Sequence, residues 1–392
     1  MKVYKTEIYP TKQQECLIHQ TFGNTRFVYN NYLKLNLDNI DNKKPIVSGM
    51  DYSKQINHDV NTPKWLKTVS SKALKQAIMT ADRTIRNYRK GIIGRPAFRK
   101  KSKHNSFYLT ETIKVQRHRI FVPTLKWLRL KEYGYIPKDI KSVIISMKNE
   151  RYYISCLSYE NKDERVSTFD FGIGIDFGLK NQFITKNQIF PSINKSVRVR
   201  KLEKKLRRKQ RSLSRRYENN MINKVYYKSG KKKGQLKSYK WKRSLFECKN
   251  IQKQKLIVNK LYERLSRIRL DYNQKCLQTL LKQKPRFISI EDLNIKGLMK
   301  NKYLSKAILQ AQWYQCRMFL QKQCKKLGIE LRLINRFYPS SQLCSSCGYK
   351  NSRLKLKDRI WTCEHCNTYH DRDINAAINI ENCQDYTILT VS

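Results

Sequence analysis

Cys363, His365, Cys366, His370, Asp371 and Asp373 fall within eleven positions of WTCEHCNTYHDRDINAAINI, residues 361–380. Each of these side chains can ligate a metal, so the stretch holds one mixed site or the edges of two. The cysteines have a counterpart upstream. CSSC at 344–347 and CEHC at 363–366 are two CxxC turns separated by fifteen residues. A CxxC turn aims two thiolates at one point, and two such turns complete a tetrahedron. Cys344, Cys347, Cys363 and Cys366 therefore predict a single zinc, closed by sulfur on every side and structural rather than catalytic. His365 is then a polar surface residue, and His370 either orients the entrance of a neighbouring site or caps a turn.

The carboxylates suggest different chemistry. Asp176 ends the apolar run GIGID, Glu291 ends FISI, and Asp373 opens the small-residue segment INAAINI. Three acids at the ends of buried elements are what a two-metal, phosphodiester-cleaving site needs. Magnesium prefers oxygen ligands, and a pair of such ions activates water and stabilises the leaving oxygen. Taken singly, an Asp at a strand end is a turn former and an Asp before a helix is an N-cap. Asp292 and Asp371 are close competitors, and strand alternation lets only one of Glu291 and Asp292 face the site.

These residues are positioned by a chain of 392 residues, long enough for two or three domains. Lys plus Arg number 83 against 30 Asp plus Glu, and the formal charge of +53 is spread along the whole chain. A polyanionic partner is the reading that this charge supports. No apolar run reaches transmembrane length and the N-terminus lacks a signal-peptide core, so no membrane partner is expected and the reading is intracellular: cytoplasmic and nucleoid-associated in a prokaryote, nuclear in a eukaryotic host. The seven cysteines outside the quartet, Cys16, Cys156, Cys248, Cys276, Cys316, Cys324 and Cys383, are expected as free, buried, small apolar residues.

VYKTEIY at 3–9 predicts a strand, and Thr11 with Gln14 a capping box that opens a helical block to residue 90. In that block Leu74, Ala77, Ile78, Ala81 and Ile85 share one face, and Gly91 stops the helix. From Asn105 the pattern turns to β-branched and aromatic runs (SFYLTETIKV, HRIFVP, LKWLRLK, VIISMKNE, RYYISCLSYE), with a hairpin turn at Lys148-Asn149-Glu150. A small barrel is expected, its first strand taken from the N-terminus. Next come a strand, tight turn and strand over 169–187, and a basic helix with Leu202, Leu206 and Leu213 as its apolar seam. A flexible basic linker follows at 228–235, then a long helix through Val258, Leu261, Leu265, Ile268 and Tyr272 that packs back on the basic one. FISI is a buried strand, 303–327 is helical and LRLIN at 331–335 is a strand.

In order and spacing, these motifs resemble the TnpB family of transposon-encoded, RNA-guided RuvC-type nucleases, which are related to the type V CRISPR nucleases. GIDFGLKN resembles the first nuclease motif of that family and SIEDLNIKGL the second. CSSCG, WTCEHC and HDRDINAAINI resemble its zinc ribbon running into the third, and YPTKQQE, FGNTRFVYN and SSKALKQA are similar to its N-terminal region. The resemblance implies a multidomain α+β and α/β protein: a wedge β-barrel over 1–10 and 95–165, an inserted helical recognition lobe over 11–94, an RNase H-like (RuvC) nuclease domain over 166–340 and 368–392, and a four-cysteine zinc ribbon over 341–367. It implies Asp176, Glu291 and Asp373 as catalytic ligands of two Mg²⁺ ions, with Mn²⁺ as substitute, and prefers Asp373 over Asp371. It implies a guide RNA from the transposon end and a double-stranded DNA target, cleaved beside a short motif, with a monomer favoured. Lys72 and Gln76, four residues apart on one helix face, and more weakly Tyr52, are its candidates for reading that motif. The competing reading is a nuclease-inactive, RNA-guided DNA-binding repressor, which the three intact acids disfavour. A transposase and a plain zinc-ribbon binder explain less of the chain. The segment 217–250 is left without a role.

Overall fold

The computed structural model describes residues 2–59, 62–110, 112–159, 165–230, 233–355 and 357–390. The chain divides into two compact units, Met1–Lys162 and Asp163–Ser392. Among the described residues no helix is long and apolar enough to cross a membrane.

In the first unit, strand β1 (Lys2–Tyr9) is followed by helices α1 (Lys12–Asp41), α2 (Gly49–His58) and α3 (Ser71–Arg89). Strands β2 (Ser106–Leu109), β3 (Lys114–Gln116), β4 (Arg119–Val122), β5 (Lys126–Leu130), β6 (Ile140–Lys148) and β7 (Arg151–Ser158) complete it. The capping box forms: Thr11 Oγ1 accepts from the Gln14 amide at 3.3 Å, and Gln14 Oε1 accepts from the Thr11 amide at 2.9 Å. The Gln14 carboxamide also donates to the carbonyls of Leu125 and Trp127 at 2.8 and 3.0 Å, which ties the start of α1 to the sheet. Ile18 and Phe22 of α1 then pack on the sheet core. Later turns of α1, through Val28, Tyr32 and Leu33, pack against Leu74, Ala77, Ile78, Ala81 and Ile85 of α3. Each large apolar side chain so buried contributes about 1.5–3 kcal/mol.

The seven strands pair antiparallel throughout in the order β2-β6-β7-β1-β5-β4-β3, with the N-terminal strand in the middle. The two-residue loop between β6 and β7 has φ of 53° at Asn149 and 60° at Glu150, as a type I′ hairpin turn requires. The expected closed barrel is not formed among the described residues; β2 and β3 stand at opposite ends of an open sheet. SFYLTETIKV, read as one strand, splits into these two short edges of 4 and 3 residues, and closure needs strands long enough to pair across the seam.

The second unit is built on a four-stranded sheet. Its elements are β8 (Phe169–Ile175), β9 (Asn181–Ile184), β10 (Ile189–Pro191), α4 (Val197–Asn219), β11 (Met221–Tyr226), β12 (Leu236–Trp241), α5 (Lys249–Leu281) and β13 (Pro285–Glu291). Then come α6 (Ile295–Leu298), α7 (Ser305–Ala311), α8 (Trp313–Leu327), β14 (Glu330–Ile334), β15 (Ile360–Thr362), β16 (Tyr369–Asp371), α9 (Arg372–Asn382) and β17 (Tyr386–Ile388). The sheet order is β17-β14-β13-β8, with β13 parallel to both neighbours and β17 antiparallel to β14. One face, through Ile173, Ile175, Ile288 and Ile290, is buried under Leu277 and Leu280 of α5 and Leu320 and Cys324 of α8. Strand alternation turns Gly172, Gly174 and Asp176 to the other face, where α9 lies.

Helices α4 and α5 pack antiparallel through Val199, Leu206, Val258, Leu261 and Leu265, with Leu202, Leu213 and Ile268 at the margin. Arg269, 7% exposed, donates to Glu203 and to Asn194, both at 2.7 Å, and locks the pair. The helix expected over 303–327 is broken: Gln312 takes a left-handed φ of 58° and separates α7 from α8. The basic segment 228–235 is not a loose linker where it is described. It is the end of a β11–β12 hairpin, with Tyr227 and Gln235 bonded at 2.9 Å; residues 231 and 232 lie outside the described residues. All seven scattered cysteines are free thiols, but Cys16 is exposed and Cys248 half-buried, because both sit at helix ends or on solvent-facing turns rather than in the core.

Candidate active site and metal centre

Glycine explains how the acids meet. A Cβ on Gly174 would lie 2.1 Å from the carbonyl oxygen of Ala377 and 2.5 Å from the amide of Glu381, so α9 rests directly on the backbone of β8. Only glycine permits that approach. Asp373, Ala377 and Glu381 repeat every four residues and share one face of α9. Asp373 therefore stands one turn before the Gly174 contact, toward Asp176 at the end of the strand. Ile175 pairs with Ile290 in parallel register, which sets Asp176 and Glu291 side by side at the ends of adjacent strands. Asp176 is fixed there by two backbone bonds to Ile184, at 2.9 and 3.0 Å.

Burial, then the charges of Glu291 and Asp373, push the Asp176 carboxyl up to about 8, against the pull of Arg372 and Arg359. Part of the residue's surface stays open to solvent. Burial also raises Glu291, opposed by the Ser340 hydroxyl, which donates to its Oε1 at 2.7 Å. Mutually repelling, half-buried carboxylates are stabilised when cations share them. The neighbours of the acids have other duties. Asp292 is held by Arg317 at 2.9 Å and by Arg336. Asp371 is the N-cap of α9, accepting from the amides of Asp373 and Ile374 at 2.9 and 3.1 Å. Asp373 is thereby left clear of the helix end, and its carboxylate accepts from Arg359 Nη1 at 2.9 and 3.2 Å.

The four cysteines converge separately. Their sulfurs lie within 4.8 Å of one another, and among the described residues they are the group of three or more His, Cys, Asp or Glu side chains gathered closely enough to hold a metal. The three carboxylates are neighbours without that convergence. Each CxxC turn is followed by a left-handed residue, Gly348 at φ 77° and Asn367 at φ 56°, whose amide donates back to the first cysteine's carbonyl at 2.9 Å. Glycine and asparagine tolerate this conformation best, a signal present in CSSCG and CEHCN. The donor set, four thiols and no carboxylate, suits zinc. The Thr368 hydroxyl and backbone pull the Cys366 thiol down from its usual value.

His370 is buried in β16. Its Nε2 lies 3.1 Å from Cys344 Sγ and its ring packs on Trp361 at 4.8 Å, so it braces the cysteine cluster instead of capping a turn. His365 is exposed and stacks on Tyr349. Two buried asparagines, unnoticed in the sequence, join the cluster to the acids. Asn375 donates to the Leu343 carbonyl at 2.7 Å and accepts from the Ser345 amide at 2.9 Å. Asn379 donates to the carbonyls of Ser340 and Leu343, at 2.8 and 2.7 Å. Their i, i+4 spacing in INAAIN was the available signal. In the first unit, Lys72 is exposed and Gln76 half-buried on α3, while Tyr52 packs edge-on against Tyr32 at 5.2 Å in the helical core.

Two family models match the chain: "Cas12f1-like, TNB domain" over residues 313–380, which spans the cysteine cluster and most of α9, and a "Helix-turn-helix domain" of the IS605 OrfB type over 1–44. Over that second span the structure has one strand and one 30-residue helix rather than a helix pair. A protein of Streptomyces pristinaespiralis, provisionally named as an RNA-guided DNA endonuclease, is 27% identical over 97% of this chain and 88% of its own length. InsQ of Escherichia coli K12, provisionally named in the same way, is 26% identical over 97% of this chain and 91% of its own. Among solved structures, that of a CRISPR-Cas12f ternary complex aligns over 95% of this chain and 82% of the other, at 16% identity and a TM-score of 0.38. The domain models at both ends and the relatives aligned along nearly the whole length make this chain similar to TnpB-like proteins.

Proposed function

We propose that this chain is an RNA-guided DNA endonuclease of a transposable element that cleaves target DNA at Asp176, Glu291 and Asp373. The observation that carries the reading is the approach of three carboxylates, up to 197 residues apart in the chain, at the end of β8, on β13 and on α9, at one end of the second unit's sheet. On this reading residues 166–340 and 368–392 are an RNase H-like (RuvC) domain and 341–367 a structural zinc ribbon. Residues 1–10 and 95–165 are the wedge, and 11–94 the recognition lobe. Lys72 and Gln76 are the candidates for contacting the bases of the target-adjacent motif, and Tyr52 the weaker one.

The three carboxylates would hold two Mg²⁺ ions, with Mn²⁺ as substitute, which when bound activate the attacking water and stabilise the leaving oxygen. The chain's own residues do the rest. Asp371 caps α9 and leaves Asp373 to the site. Ser340 fixes the orientation of Glu291. Arg359 holds Asp373 and must yield it before that carboxylate can serve as a ligand. The +53 charge supplies the Lys and Arg contacts that a guide RNA and its heteroduplex need along their backbones.

The test is to purify the protein with its co-expressed RNA and offer a matched plasmid with Mg²⁺. Guided cleavage by the wild type, lost in Asp176→Ala, is expected. Guided binding without cleavage by the wild type would instead make it a repressor. Metal analysis should give about one zinc per chain.

A further inference from the structure

We propose that the basic face of α4 and the β11–β12 hairpin form one track for a single-stranded segment of RNA. The helix side chains would neutralise its phosphates and the hairpin rings would stack on its unpaired bases. This deepens the RNA-guided reading and rests on it.

The helix half of the track is a groove of about 940 Å³ along which Arg200, Lys201, Lys204, Arg207, Arg208 and Arg211 are exposed. Its one acid, Glu203, is turned inward to Arg269 and Gln310. Directly beyond the helix end comes the hairpin, and its base is built to be rigid. The Asn220 side chain, 8% exposed, donates to the Arg243 carbonyl at 2.9 Å and accepts from the Arg243 amide at 3.1 Å. Trp241 packs there against Tyr217 at 5.9 Å and Tyr239 at 4.8 Å.

Along its length the hairpin exposes what a protein ordinarily covers. Tyr226 is 48% exposed, Tyr239 39%, Val225 48% and Ile222 42%. None of the hydrophobic clusters among the described residues includes a residue of β11 or β12. A lone two-stranded hairpin is marginal in water, so rings held out this way call for a partner. Charge says which kind. Between 221 and 243 the described residues carry seven Lys or Arg and no Asp or Glu. A cationic groove that continues into exposed rings is how proteins hold single-stranded nucleic acid. Duplex DNA offers no free base faces. A folded guide RNA keeps loops whose bases can splay out before any target is met, whereas the target strand is paired to the guide and the displaced DNA strand is unpaired only once the target is opened.

The probe is a 20-nucleotide unstructured RNA carrying 5-iodouridine, cross-linked by long-wave ultraviolet light to the full chain, with the joined peptides identified by mass spectrometry. Cross-links at Tyr226 or Tyr239 are expected. In fluorescence anisotropy at about 0.3 M salt, where non-specific contacts are screened, the Tyr226→Ala/Tyr239→Ala variant should bind about tenfold more weakly. The Tyr226→Phe/Tyr239→Phe variant should stay within about twofold, since the ring and not the hydroxyl stacks. Lys237→Gln/Lys240→Gln should flatten the logarithmic salt slope by about 1.4, at about 0.7 per phosphate contact.

The proposal is overturned if cross-links fall wholly outside 217–243, if the alanine pair binds as wild type, or if the phenylalanine pair loses as much as the alanine pair. Duplex RNA or the deoxy strand depending equally on the two tyrosines also overturns the assignment to single-stranded RNA. If wild type and variants bind the RNA alike, the track alone fails and the hairpin belongs to a protein partner. If the wild type binds no RNA at all, the RNA-guided reading fails with it.

Discussion

With Asp373 as the catalytic ligand proposed above, Gly174→Ala should disable cleavage through the backbone alone. The added methyl carbon would lie 2.1 Å from the Ala377 carbonyl oxygen and 2.5 Å from the Glu381 amide, both main-chain atoms of a buried helix. No rotamer change relieves such a contact. To reach ordinary contact at about 3.4 Å, α9 must retreat by about 1.3 Å, carrying Asp373 with it. Overpacking of this kind costs about 1–3 kcal/mol, and each kcal/mol lowers the melting temperature of a unit this size by about 2–4 °C. Displacing a catalytic group by about 1 Å costs about a hundredfold in rate. The assay pairs guided plasmid cleavage at saturating DNA with thermal melting. Gly172→Ala is the control. Its methyl would meet the tip of the Phe287 ring at 2.1 Å, and the ring can turn aside at the expense of its 3.5 Å contact with the Arg332 guanidinium. That variant should lose stability but keep its cleavage rate. If Gly174→Ala cleaves like wild type, or if Gly172→Ala is inactivated as strongly, α9 does not set the position of Asp373 and the reasoning fails.

Three further outcomes follow from individual contacts. Asp176 ionises near 8 in the folded chain and near 3.8 unfolded, so the folded state binds the extra proton between those values. Stability from this group is present below about pH 4 and is lost as pH rises through 8. Zinc-loaded, magnesium-free protein should thus melt lower with rising pH than Asp176→Asn does, and added Mg²⁺ should close the gap; parallel melting curves for the two would count against it. His370→Ala removes the 3.1 Å contact to Cys344 and the Trp361 packing, and should weaken zinc binding about 10–100-fold in competition with a chromophoric chelator. Asn379→Leu leaves the buried Ser340 carbonyl without this donor, costing about 1–3 kcal/mol in denaturant melts. It also loosens the residue that orients Glu291, so kcat should fall while DNA affinity holds.

The cysteine quartet was legible because ligand chemistry and spacing are local: two CxxC turns carry their geometry in four residues each. The capping box at Thr11 and Gln14, the α3 face and the turn at 149–150 were legible for the same reason, since cap and turn chemistry acts over three or four positions. The three acids were candidates from their places at strand and helix ends and from the order of motifs. Nothing local, however, says that Asp371 is spent on a cap while Asp373 is spared, or that Asp292 is taken by two arginines.

Other features depend on partners far away in sequence. SFYLTETIKV has the composition of one strand, but β2 pairs with β6 and β3 with β4, so pairing energy from distant segments divides it and leaves the sheet open. The 228–235 stretch reads as a linker because lysine and glycine dominate it; pairing of β11 with β12 and the clamp between Asn220 and Arg243 make it the end of a hairpin. Sequence by itself determined which residue types are present to do chemistry and the local turns that aim them. Tertiary structure decided which acids meet, what holds them and which surfaces are left bare, because those depend on parallel strand register and on a helix resting on a glycine about 200 residues away in the chain.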